Sequence, residues 1–334
     1  MKRYLRYVSP FIAVVIMLLL ILDTKVAYIG AKEGIRMCIE VIIPSIFPFI
    51  VVSNYLCTSL IGAYIPGIGR FGRFLQLPKG SESLLLLGFL GGYPVGAQLI
   101  GDAYKRGSLD KRTACILLGY CNNAGPSFIF GVISSAFSSP NISFVIWAIH
   151  IFSALVTGYL LPRPEISIAS IENKSVGSTV QALQKSVRAM ASICGWVIIF
   201  KIVISYISLF FDGKVSQLCL ITLSGFLELS NGFMQLSNVS IESVRFILCT
   251  FFLSFGGICV LLQTASVTEN LGLGLYIPGK IIQTGISMIF SLIVSPFLFA
   301  HSVHKSAFSF LIYFICFTVI WFCRKYCKTR CENV

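Results

Sequence analysis

The chain has 334 residues, of which 56% are hydrophobic and 12% charged, and its net charge is +13. Mean hydropathy is +0.86, and the charged share is about half that of soluble domains. These values exclude a water-soluble globular protein and predict an all-α polytopic membrane protein in contact with a lipid bilayer. The excess of Lys and Arg reads as loop charge that sets orientation. No basic patch interleaved with aromatics marks a nucleic-acid partner.

Apolar runs fall at 8–28, 35–56, 82–103, 114–138, 142–161, 189–211, 218–238, 244–268, 276–300 and 305–323. Each approaches the roughly 20 residues that cross a bilayer as a helix. The first follows Lys2, Arg3 and Arg6 and precedes Asp23-Thr24-Lys25 rather than a small-residue cleavage site. It reads as an uncleaved membrane helix within residues 1–34. In the second, Pro44 and Pro48 predict a kink, for packing or for gating.

Two runs are interrupted near their middle. Gly91-Gly92-Tyr93-Pro94 breaks 82–103, and Glu228-Leu229-Ser230-Asn231-Gly232 breaks 218–238. A third break, Asn122-Asn123-Ala124-Gly125-Pro126, lies in the fourth run. Backbone groups freed this way cannot face lipid. If all ten runs span, the Lys and Arg outside the membrane divide about evenly between the two sides. If the two broken runs are re-entrant hairpins, the split is about three to one in favour of the cytoplasm, with Lys280 counted in a cytoplasmic loop.

Charge therefore selects about eight spanning helices plus two re-entrant hairpins, with both termini in the cytoplasm. The order of elements over 35–161 then recurs upside down over 189–300, giving two inverted repeats. A polar cytoplasmic linker, 162–188, joins them behind Leu161-Pro162-Arg163-Pro164, and a C-terminal helix with a basic tail occupies 301–334. Gly88-Phe89-Leu90 echoes Gly225-Phe226-Leu227. Inverted repeats with discontinuous helices are the mark of secondary transporters.

The breaks supply the candidate binding residues for a small-molecule substrate. Gly91, Gly92, Tyr93 and Pro94 are either a packing turn or a solute-lining tip whose half-helix end suits a carboxylate. Asn122 and Asn123, with Gly125, serve as interhelical glue or as amide donors to a polar solute. Glu228, Ser230, Asn231 and Gly232 form the matching second tip, where an intramembrane carboxylate is functional by default or sits at the hairpin's watery mouth. Gln263 is a polar liner. Glu40 and Lys201 are further charges inside apolar runs, and Lys201 can pair with a protein carboxylate or an anionic solute.

Most of the twelve cysteines lie in apolar runs, as small hydrophobes. His301-x-x-His304 lacks a third ligand, and Cys323, Cys327 and Cys331 stripe one face without zinc-type pairing. No metal or cofactor is expected. No Walker motif, HExxH or nucleophile elbow points to an enzyme. A non-transporting scaffold is the rival class, and self-association stays open.

Three segments together, Pro44-Ser45-Ile46-Phe47-Pro48-Phe49, Gly88 to Ala97 and Cys121 to Pro126, resemble the YlbJ-type sporulation integral membrane protein family, of the nucleoside-recognition or gate-domain group. Gly225-Phe226-Leu227-Glu228 and Asn231-Gly232 continue the likeness, and Gly91 stands where Ser is more usual. The resemblance implies a role in endospore formation. It implies movement of dipicolinic acid, a planar dianion, across the outer forespore membrane, with nucleosides as another solute class.

Overall fold

The computed structural model describes residues 20–60, 81–162, 179–268 and 271–299, with Val14, Met17, Leu18, Gly72 and Leu75 singly. Much of the first half of the first apolar run, the core of the linker, the last run, His301, His304 and the three terminal cysteines lie outside the described residues. Those described are helical, without strands. Five helical stretches among them are long and apolar enough to cross a membrane: Thr24–Leu56, Asn141–Leu160, Thr179–Phe211, Glu242–Val267 and Tyr276–Leu298.

Helix α1 (Thr24–Met37) passes through a π-turn, Cys38–Ile42, into α2 (Ile43–Leu60). The turn has a local cause. Pro44 has no N–H to give to the preceding turn, and the ladder slips one residue, with the Ile43 N–H donating to Cys38 O. Helix α1 packs on the long α8 (Thr179–Phe211) through Gly30 and Gly34, where an added Cβ would stand 3.0 Å from Ile202 Cα and 2.9 Å from Ile198 Cα. Glycines four apart let two membrane helices approach this closely. Lys201 on α8 pairs with Glu33 on α1 at 2.9 Å. Glu40 pairs with Arg36 on the exposed face.

Between these helices lies the first broken hairpin, α3 (Glu82–Gly91) against α4 (Val95–Lys105). Next comes α5 (Lys111–Cys121), which stops and restarts as α6 (Pro126–Gly131), followed by α7 (Asn141–Leu160). After α8 the same order recurs. A hairpin of α9 (Gln217–Leu227) and α10 (Leu229–Gln235) precedes a broken pair, α11 (Glu242–Phe255) and α12 (Gly257–Val267), and then α13 (Tyr276–Leu298).

Each hairpin sits on the broken helix of its own half. A Cβ on Gly88 would collide with Cys121 O, where α5 ends, and one on Gly96 would stand 2.6 Å from the same atom. In the second half, a Cβ on Gly225 would collide with the Phe252 ring, and one on Gly257 would lie 3.2 Å from Leu227 O. The recurring Gly-Phe-Leu thus marks equivalent close approaches. Helix α13 packs against α5, α7 and α11 and so joins the halves. Its Gly279 lies against the Gly119 backbone so tightly that no side chain fits between them.

Candidate functional site

Each interruption has a local cause. Gly92 adopts φ +75°, a region that favours glycine, and its backbone abuts Gly125, where a Cβ would stand 3.0 Å from Gly92 Cα. Helix α4 restarts at once, with Gln98 N–H donating to Pro94 O at 3.0 Å. At the second tip, Glu228 Oε1 accepts from Ser230 N–H at 3.0 Å, and Oε2 from Asn231 N–H at 2.7 Å and Asn231 Nδ2 at 2.8 Å. The carboxylate caps α10, where a helix N-terminus favours negative charge. Residues 122–125 leave the helix, and Pro126 opens α6 at a position that needs no N–H. Gly256 and Gly257, both at positive φ, open the second broken pair.

The tips converge across the halves. One cavity is lined by Gly91, Gly92 and Tyr93 from the first tip and by Ala124, Gly125 and Ser127 from the first break. Glu228 and Ser230 line it from the second tip, and Gln263 from α12. Ile46, Ile193, Val197, Phe128, Leu229 and Val260 close the apolar part of the wall. Its volume is ≈ 50 Å³, room for a few waters at about 10–15 Å³ each. Tyr93 also crosses to the other half, where its hydroxyl donates to Leu253 O at 3.1 Å.

Other residues singled out from sequence stand behind this wall. Asn122 Oδ1 accepts from Ala97 N–H on α4 at 3.2 Å, while its Nδ2 donates to Thr264 Oγ1 on α12 at 2.9 Å and Tyr276 Oη on α13 at 3.4 Å. One amide therefore binds the first hairpin to two elements of the second half. Asn123 Nδ2 donates to Tyr120 O at 2.6 Å, and its Oδ1 accepts from Gln283 at 2.8 Å and Lys280 at 3.2 Å. Both side chains are fully buried and spent on protein, which is the interhelical role; neither lines the cavity. Asn231 is engaged in the cap, Gly232 packs on Gly225 Cα, and Pro94 opens α4.

One placement corrects the sequence reading. Lys280 is no cytoplasmic loop charge: it lies in α13, 2% exposed. Its Nζ donates to Tyr93 Oη at 3.0 Å, Asn123 Oδ1 at 3.2 Å and Gln283 Oε1 at 2.8 Å. Three acceptors match the three N–H bonds of an ammonium. The charge balance that favoured hairpins survives the loss of this one residue. The close Gly119–Gly279 crossing brings α13 near enough to α5 for Lys280 to reach Asn123.

His150 on α7 is a second residue that sequence reasoning missed. Ala124 N–H donates to its Nε2 at 3.2 Å, so the ring proton sits on Nδ1, 3.4 Å from Ser254 Oγ. Among the described residues no group of three His, Cys, Asp or Glu is arranged to hold a metal.

Comparison with known proteins agrees with the motif resemblance. The chain is 22% identical over 293 residues to the sporulation integral membrane protein YlbJ of Bacillus subtilis strain 168, covering 74% of this chain and 71% of that protein. The match supports the YlbJ-type sporulation membrane family. No family model matches the chain. No solved structure matches it.

Proposed function

We propose that this relative of the YlbJ-type sporulation membrane proteins is a secondary transporter for a small organic anion, held between its two hairpin tips. The observation that carries the reading is the cavity shared by Gly92 and Tyr93 of one half with Glu228 and Ser230 of the other. Broken helices offer backbone groups in a membrane only where protein or a water-filled site takes them up. Paired halves with such breaks suit alternating access, one bundle moving against the other around a central site. On this reading eight helices span, the hairpins 82–105 and 217–235 re-enter, and both termini face the cytoplasm. The family resemblance makes dipicolinate in the outer forespore membrane the first solute to test and nucleosides the second.

The test is uptake of radiolabelled dipicolinate into liposomes holding the purified chain, beside a Ser230→Ala/Gln263→Leu variant. Saturable uptake that the variant loses supports the transporter and puts its site in the cavity. Absence of uptake of dipicolinate and uridine under every imposed ion gradient, with well-folded protein, argues for a non-transporting scaffold.

A further inference from the structure

We infer that Lys280 is the positive charge that recognises a carboxylate of the transported solute, with the Tyr93 side chain standing between it and the cavity. This inference rests on the transporter reading and names the residue that fixes its substrate class.

Lys280 is the one Lys or Arg that is buried among the described residues. Three more exposed basic side chains have acidic partners: Lys201 has Glu33 at 2.9 Å, Lys185 has Asp102 at 3.4 Å and Arg36 has Glu40 at 2.9 Å. Lys280 meets no described carboxylate at ion-pair distance. Its partners are a phenol and two amides, all neutral. Neutral acceptors satisfy its hydrogen bonds but leave the charge uncompensated, and a buried charge is costly until paired. A ligand carboxylate would supply that pairing.

The route is short. Tyr93 lines the cavity and its hydroxyl meets Lys280, with Nζ 5.0 Å from the ring centroid. Gly92, at positive φ, adjoins it in the tip. Turning the Tyr93 ring aside would open Lys280 to the cavity, and a flexible four-carbon stem lets the ammonium follow an anion.

The carboxylate across the cavity does not compete for this role. Both Glu228 oxygens are held by N–H groups of its own tip, so its charge is answered by the N-terminus of α10. A neutral solute would gain nothing from the lysine.

The experiment measures equilibrium binding of dipicolinate, and separately of uridine, to the full chain in nanodiscs. Wild type is compared with Lys280→Gln and Lys280→Arg, each checked for an unchanged elution profile. The expected result is dipicolinate binding about a hundredfold weaker in Lys280→Gln, the scale of leaving a buried charge unpaired. Lys280→Arg regains part of it, and any uridine binding is unmoved. Should Lys280→Gln fail to fold, the dicarboxamide analogue of dipicolinate on wild type carries the test, with the same loss expected. Equal dipicolinate and dicarboxamide affinity, or a Lys280→Gln variant within about threefold of wild type, overturns the inference and leaves the transporter standing. Uridine binding without dipicolinate binding overturns the inference and moves the transported solute to a neutral class. Binding of neither solute takes down the transporter reading and this inference with it.

Discussion

Lys280 Nζ donates to Tyr93 Oη across 187 positions of sequence, tying the helix that closes the second half to the hairpin tip of the first. Tyr93 Oη passes the connection on to Leu253 O in α11. The first tip is thus held by two elements of the opposite half, and any movement of one half against the other must break or carry these bonds.

Asn122 is the firmest such connection. Replacing it by Ala leaves the Ala97 N–H and Thr264 Oγ1 without their buried partner. The expected cost is roughly 2–4 kcal/mol, visible as a lower unfolding midpoint in detergent. An unchanged midpoint contradicts the role assigned to this amide.

Two glycines in helices should respond in opposite ways to alanine. Gly88→Ala drives a methyl into Cys121 O and should cost about 1–3 kcal/mol through overpacking. Gly195→Ala, on α8, meets nothing within 4 Å and should be neutral or stabilise by about 0.5–1 kcal/mol. Thermal unfolding of the two variants side by side checks the pair.

Asp110 caps α5, outside the five stretches long and apolar enough to span, and accepts from Thr113 N–H at 2.8 Å. Partial burial pushes its carboxyl upward, but hydrogen bonding at the start of α5, led by Thr113, outweighs this and holds it below its usual range. A lowered folded value means its stabilisation is complete above the unfolded value, about pH 4, and fades as pH falls through the folded one. Asp110→Ala should cost about 1 kcal/mol at neutral pH, and the gap from wild type should narrow in acid. A gap that widens in acid contradicts the assignment.

Legibility in the sequence followed locality. The hairpin breaks were readable because Gly91-Gly92-Tyr93-Pro94 and Glu228 to Gly232 interrupt apolar runs by their own backbone preferences. Glu228, as a charge inside such a run, announced itself too. Lys280 did not, because it stands at the start of its run, behind Pro278-Gly279, and so counts with the loop charges. In the structure those residues are helical, and the lysine's setting comes from Asn123, 157 positions away. The signal was nonetheless present: Lys280 lies within the 276–300 run, and the rule applied to Lys201 covered it equally. His150, inside the 142–161 run, carries the same mark, but its partner Ala124 is fixed only by packing of α7 on the first break. The Asn122-Asn123 pair was found but not its direction, because the choice between solute and neighbour depends on α4, α12 and α13.

The most direct test of the shared cavity is sided labelling of Ser127→Cys and Ser230→Cys, which line it from opposite halves. The background carries Cys219→Ser, removing the exposed native thiol among the described residues. A membrane-impermeant thiol reagent is added to one face of oriented proteoliposomes at a time. The account predicts that each introduced cysteine is reached from both faces and that saturating dipicolinate slows both reactions. Labelling of both from one face alone, unchanged by dipicolinate and by uridine, would contradict it.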